Sequence, residues 1–256
     1  MADFETLRYE VAGGLARLTL DRPEQMNGMT NRMVREACDA LEMAAADRSV
    51  RVLVLMGEGR AFCPGADLKH FVSGGSDERL SPREFQVTTL LHEIPAVTIA
   101  AINGACAGAG LGWALACDLR FMTAGARLNT AFLDVAVAGD MAIPWSLPRL
   151  VGASRARDLS FLPRRIEAEE ALSIGLVSRV FPDDTFRDEI ESIVQTLLAK
   201  SPTALVGLKQ NYVMAERLSL RDFVGYEAER HLRIAASDDT AEAFRAFVEK
   251  RAPRFS

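Results

Sequence analysis

The chain has 256 residues, 49% of them hydrophobic and 25% charged, which are ordinary proportions for a globular protein. That length allows one large α/β domain or two small ones and buries a sizeable core without covalent staples. A formal net charge of −5 argues against the basic face that nucleic-acid binding requires.

The four cysteines, Cys38, Cys63, Cys106 and Cys117, form no C-x-x-C pair, and three lie in apolar or small-residue stretches. They read as reduced, buried thiols of a cytosolic protein rather than a disulfide or zinc framework. His70, His92 and His231 share no ligand spacing, so no metal is expected. Residues 1–9 carry charges without a long apolar run, which predicts no signal peptide. The longest apolar stretch, 96–117, is broken by Asn103, Gly104, Gly108, Gly110 and Gly112, so no membrane span is expected.

Residues 4–11 and 15–20 alternate as two strands joined at Gly13-Gly14, a hairpin signal. Thr30 or Asn31 caps a helix running to about Ala46, with Met33, Ala37, Leu41 and Ala44 on one face. The apolar run 50–56 fits a buried parallel strand. It leads into a glycine-rich loop, 57–66, and a short helix, 67–71. The polar, breaker-rich stretch 73–82 reads as a mobile surface loop. A helix over 83–92, a strand over 96–102, a glycine/alanine turn, a helix over 109–117 and a strand over 118–123 follow. The second half is helical over 154–161, 167–173, 185–199, 202–218, 220–235 and 238–250, with one short strand at 177–181. Strand–helix alternation followed by a helical tail predicts an α/β core over 1–198 and a helical region over 199–256.

Two loops carry the chemistry. The first, Arg60-Ala61-Phe62-Cys63-Pro64-Gly65-Ala66-Asp67-Leu68, follows a buried strand. Gly65 permits a tight turn, and the Ala66 N–H falls near the start of a short helix. The second, Asn103-Gly104-Ala105-Cys106-Ala107-Gly108-Ala109-Gly110-Leu111-Gly112, joins a strand to a helix N-terminus whose small side chains leave backbone N–H groups open to an anion. Two such sites facing one point suit an oxyanion that develops during reaction, as when a thioester carbonyl becomes an enolate. Gly108-Ala109-Gly110-Leu111-Gly112 also begins like a dinucleotide-binding turn, but Trp113 holds the last glycine position and Asp118 comes too soon for a ribose-binding acid. Close helix–strand packing would require small residues in either loop as well.

The chain resembles the enoyl-CoA hydratase/isomerase (crotonase) family over nearly its whole length. The resemblance lies in Arg22-Pro23 with Asn27; Ala61-Phe62 with Gly65-Ala66-Asp67-Leu68-Lys69; Pro95-Ala96-Val97; and Ala101-Ile102-Asn103-Gly104. It continues in Cys117-Asp118, Leu147-Pro148-Arg149-Leu150-Val151-Gly152, Ala171 with Gly175-Leu176-Val177, and Ala246-Phe247-Val248-Glu249-Lys250-Arg251. It implies an α/β fold: a crotonase-like spiral of ββα units with a C-terminal helical trimerisation region, in a homotrimer or dimer of trimers. It also implies an oxyanion hole from the N–H groups of Ala66 and Ala109. Coenzyme A, entering as the acyl-CoA substrate with no separate cofactor, would lie over Arg22, Glu24 and Met26 and near Asp67, Leu68 and Lys69, with the acyl chain directed past Gly108. Phe247 and Lys250 match positions that approach the nucleotide from a neighbouring subunit. Phe247 fits core packing equally well, and Lys69 and Lys250 fit solvated helix charges.

Hydratases of the family use two glutamates, and the matching positions here are Gly112 and Phe132, neither able to transfer a proton. Asp140, within the apolar run of Ala136, Val137, Ala138, Met141, Ile143 and Trp145, matches a functional aspartate of some isomerases and of the dehalogenase branch. An apolar pocket would raise its pKa for proton transfer; as the alternative, it caps the helix over 141–150. Trp145 fits the acyl pocket or the core. Asp134 reads as structural, and Asp67 as a loop tie or helix cap. Cys63 and Cys106 flank the loops with nothing nearby to lower either pKa. The resemblance thus implies an enoyl-CoA hydratase/isomerase-type enzyme, cytoplasmic, with Asp140 moving a proton. Thioester hydrolysis, dehalogenase-like attack by Asp140 and a non-catalytic acyl-CoA-binding oligomer are the alternatives.

Overall fold

The structure is a computed structural model that describes residues 4–74 and 79–255. The core of the loop expected to be mobile, 75–78, and the first three residues of the segment tested for a signal peptide lie outside the described residues.

The chain opens with an antiparallel hairpin, β1 (Leu7–Ala12) and β2 (Leu15–Leu20), turned at Gly13 and Gly14. Both glycines have positive φ (58° and 88°), the requirement of a two-residue hairpin turn that follows strand twist. Helix α1 (Asn31–Ala46) starts where the Thr30 hydroxyl accepts the Met33 N–H at 3.2 Å, and it buries Met33, Ala37, Leu41 and Ala44 as its spacing demands.

From there the path repeats. Strand β3 (Val52–Gly57) is followed by β4 (Ala61–Cys63), α2 (Leu68–Val72) and α3 (Val87–Glu93). Next come β5 (Val97–Ile102), β6 (Ala105–Ala107) and α4 (Gly108–Ala116), then β7 (Leu119–Thr123) and β8 (Arg127–Asn129), leading to α5 (Ile143–Val151) and α6 (Ala153–Phe161). The long first strand of each unit joins a six-stranded sheet whose order begins β1-β2-β3-β5-β7, and the short second strand joins a four-stranded sheet. This is the spiral of ββα units. The short sheet is completed by β9 (Ile166–Glu167) and the long one by β10 (Arg179–Phe181), on either side of α7 (Ala168–Ser173).

Strand β3 shows why the centre of the long sheet is apolar on both faces. Leu53 and Leu55 enter the main core, whereas Val52 and Val54 pack on the opposite face with Ile99, Ala101 and Phe121. That second face is covered by Phe186, Ile190 and Val194 of α8 (Phe186–Leu198). A parallel sheet covered on both sides needs such continuous runs. The glycine-rich loop after β3 and the glycine/alanine turn after β5 each contain a three-residue strand, β4 and β6, too short to leave a periodic signal.

The helical region comprises α9 (Pro202–Ala215), α10 (Leu220–Ala235) and α11 (Asp238–Val248). Lys209 ties α9 to the sheet. Its ammonium is buried, lies 2.5 Å from an Asp118 carboxylate oxygen and donates to the Ala96 carbonyl at 3.2 Å. The same Asp118 oxygen accepts the Thr98 N–H and hydroxyl at 2.8 and 3.0 Å. Without the ammonium, the Asp118 carboxylate, a quarter exposed, keeps only its Thr98 bonds and the solvent to offset its burial. Lys209→Met is therefore expected to destabilise the protein by about 2 kcal/mol, read as a lowered urea midpoint. A variant with an unchanged midpoint would refute that role.

Candidate active site

The two loops picked out by sequence meet at the ends of β4 and β6. These strands pair in parallel, Ala61 opposite Ala105 and Cys63 opposite Cys106, so the residues that follow leave the sheet side by side. Gly65 has φ 96°, and a Cβ there would lie 3.0 Å from the Ala107 carbonyl oxygen and 3.5 Å from Gly108 Cα. Only glycine allows the first loop to rest on the first turn of α4 in this conformation.

Each loop leaves an amide unused. Around Ala66, Met29 donates to the Gly65 carbonyl at 2.8 Å and accepts from Asp67 N–H at 2.9 Å, a one-residue parallel bridge. These bonds skip the Ala66 N–H, and Ala66 itself is exposed. Ala109 is the second residue of α4, where the amide has no carbonyl four residues back within the helix. It is buried, on a helix with no side-chain cap.

The first loop is braced from several sides. Asp67 caps α2, accepting the His70 N–H at 3.0 Å, and pairs with the Arg22 guanidinium at 2.9 Å. Burial opposes ionisation of Asp67, but the His70 N–H and Arg22 outweigh it and hold the carboxyl below its usual range. Arg22 also donates to the Gly28 carbonyl, so it braces the loop whether or not it reaches a ligand. Asn27, fully buried, donates to the Ala61 and Glu58 carbonyls at 2.8 and 2.9 Å, and Asn103 donates to those of Gly57 and Gly59, both at 2.9 Å. Sequence reasoning quoted both asparagines without giving them this task. Their signal was an amide beside a glycine turn, which alone names no partner.

Of the residues expected around a coenzyme, Glu24, Leu68 and Lys69 are exposed and Met26 half-buried, on the segments flanking Ala66. Phe132 stands against the start of α4, its ring 3.9 Å from where a Gly108 Cβ would be. Trp145 does not join this group. It borders a cleft of about 460 Å³ with Thr88, Glu93, Ala116 and Glu216, stacking edge-on against His92 at 5.3 Å and under Arg149. Ala116 is at the far end of α4 from Ala109, and the Trp145 ring, 41% exposed, lies between α3 and α5 and so is not a core residue. Phe247 is 86% exposed, which removes the core-packing reading. Lys250, also exposed, lies just beyond α11, away from the two loops in sequence.

Asp140 lies on the segment entering α5. It is not the helix cap: that position is Ala142, which makes no side-chain capping bond, while the Asp140 carbonyl accepts the Ile143 N–H at 3.1 Å. The carboxylate Oδ1 is buried without a hydrogen-bond partner. Burial pushes the carboxyl above the usual carboxylate range, opposed in part by the Met141 backbone N–H. The next residue, Met141, packs on Gly112 of α4, one turn beyond Ala109. Met141 and Ala142 both have positive φ (45° and 58°), a costly backbone for non-glycine residues, about 1–3 kcal/mol each. The buried thiols play no such part. Burial raises Cys63 to about 12 and Cys106 well above its ordinary value.

The enoyl-CoA hydratase/isomerase family model matches residues 10–256. The chain is 34% identical over 255 residues to a probable enoyl-CoA hydratase of Rhodobacter capsulatus, covering 99% of this chain and 98% of that protein. It is 32% identical over 259 residues to the 1,2-epoxyphenylacetyl-CoA isomerase of Escherichia coli, covering 98% of each. Among solved structures, an enoyl-CoA hydratase from Bacillus anthracis superposes with a TM-score of 0.90 at 28% identity, over 98% of this chain and 99% of that one. The chain belongs to the enoyl-CoA hydratase/isomerase family, and it is an enzyme of the hydratase/isomerase type.

An acid whose folded pKa is raised contributes stability below its unfolded value and loses it as pH rises through the folded value. Asp140→Asn should therefore unfold at a higher temperature than wild type at pH 7. The gap should close below about pH 4, where the unfolded carboxyl is also protonated. Parallel melting curves across that range check it; a wild type melting higher at pH 7 would contradict the burial cost.

Proposed function

We propose that this protein moves a double bond in an enoyl-CoA, holding the thioester enolate with the Ala66 and Ala109 N–H groups and ferrying one proton on Asp140. The reading rests on a half-buried Asp140 whose Oδ1 is buried without a hydrogen-bond partner, in a chain whose two hydratase positions hold Gly112 and Phe132. In a 3-enoyl-CoA, Asp140 as carboxylate takes a proton from C2 and negative charge moves onto the thioester oxygen, between two amides that no protein group occupies. The protonated Asp140 then returns the proton to C4, leaving the 2-enoyl product. One acid suffices because the proton leaves and returns on the same carrier, whereas hydration needs a base for water and an acid for the α-carbon. The similarity to an isomerase of a coenzyme A thioester supports the same direction.

Coenzyme A comes and goes as part of the substrate, over Arg22, Glu24 and Met26 and beside Asp67, Leu68 and Lys69, so no resident cofactor is needed. We further propose a cytoplasmic homotrimer or dimer of trimers. Phe244, Phe247 and Val248 of α11 and Leu232 of α10 are exposed apolar side chains that such an assembly would cover. In that assembly Phe247 and Lys250 would reach a neighbour's nucleotide.

With 3-enoyl-CoA, purified enzyme should raise the absorbance of the conjugated product, and with 2-enoyl-CoA it should show little hydration. Asp140→Asn should lower kcat by about 10²–10⁴. The wild-type rate should fall on the acid side with a midpoint above the usual carboxylate range, since Asp140 must begin ionised. Equal turnover by Asp140→Asn would refute the mechanism, and a covalent acyl–aspartate seen by mass spectrometry would replace it with nucleophilic attack. Light scattering should give the mass of three or six chains, and Phe247→Glu should weaken the assembly and raise KM; a wild-type monomer would refute the oligomer.

A further inference from the structure

At Gly112 a Cβ would lie 2.5 Å from Met141 Cβ and 2.6 Å from the Met141 carbonyl oxygen. One of those atoms belongs to the backbone, so a side chain at Gly112 could not be accommodated by rotating a neighbour. Met141 is buried in turn, with φ 45°, and Ala142 follows with φ 58° as the cap of α5. The strained entry to α5 is thus pressed directly on α4, and Asp140 is the residue just before the point of contact.

We infer that Gly112 and Met141 are positioning residues: their backbone-close contact sets where the Asp140 carboxyl stands relative to the oxyanion amide of Ala109, one turn away on the same helix. This rests on the isomerase reading above. It also makes the glycine a required part of this site rather than a mere loss. The space a glutamate side chain needs at position 112 is taken by the chain that presents Asp140, so the two arrangements exclude one another on this backbone. A side chain at 112 would push the Asp140 segment off α4, and misplacement of a reacting group by about 1 Å can cost on the order of 10²-fold in rate.

The test compares Gly112→Ala, Gly112→Glu and Met141→Gly with wild type and with Asp140→Asn, using 3-enoyl-CoA for isomerisation and crotonyl-CoA for hydration. Gly112→Ala is expected to lower kcat on the order of 10²-fold with KM nearly unchanged, and to move the acid limb of the rate profile toward ordinary carboxylate values as Asp140 gains solvent. Gly112→Glu should gain no hydration. Met141→Gly leaves a cavity where a buried side chain was, a cost partly offset by relief of its positive φ, and unlike the position 112 variants it forces no atoms together. It should lower kcat by roughly tenfold at unchanged KM as the segment loosens. Folded variants that keep the wild-type kcat and acid limb, or hydration gained by Gly112→Glu, would overturn the positioning role while Asp140→Asn remained inactive. Should Asp140→Asn instead be fully active, the isomerase reading itself fails.

Discussion

The parallel pairing of β4 with β6 is the constraint on which the site depends. Two three-residue strands, Ala61–Cys63 and Ala105–Ala107, run side by side and end together. The chain must then turn away in two directions at van der Waals distance. Gly65 lies against Ala107, and Gly110 of α4 against Cys63, because no larger residue leaves room for both paths. The amides of Ala66 and Ala109 follow from this geometry. One is skipped by a single-residue bridge and the other belongs to the open first turn of a helix, so both remain unsatisfied without being designed out of a regular ladder.

Much of this was legible in the sequence, and the reasons differ by element. Long parallel strands declare themselves as apolar runs, and α1 declared itself through Thr30 and the spacing of Met33, Ala37, Leu41 and Ala44. The loops declared themselves through glycines and alanines placed before helices, although those residues alone fit close packing equally well. Their order along the chain, and not either loop alone, separated the readings. What stayed hidden were contacts between segments far apart in sequence. A three-residue strand has no period to detect, so β4 and β6 read as loop and turn and β8 left no signal. Lys209 looked like any helical lysine, yet it is buried against Asp118 ninety-one positions earlier. Trp145 fitted the core because its sequence neighbours are apolar, but a helix turns successive side chains by about 100°, and this one faces α3, 41% exposed. Gly112 and Met141 carried no hint of one another.

Asp67 and Asp140 show how position decides the use of one side chain. Asp67 meets a helix-start N–H and the Arg22 guanidinium, and these outweigh its partial burial to hold it ionised as part of the scaffold. Asp140 is placed among apolar neighbours with one oxygen unpartnered, so its charged form is disfavoured. The stability sacrificed at Asp140, and in the left-handed residues after it, is the kind of local cost that functional sites carry and a well-bonded scaffold tolerates.

The Lys209–Asp118 lock has a dynamic corollary. For α9 to lift from the sheet, the buried Lys209 ammonium would have to leave a carboxylate that is itself only a quarter exposed, before water could replace that partner. Partial opening is thus the least favourable state along that motion. Slow breathing of the helical region as an independent unit is suppressed, and backbone amides in the middle of α9 should exchange with solvent only when the sheet beneath them unfolds as well.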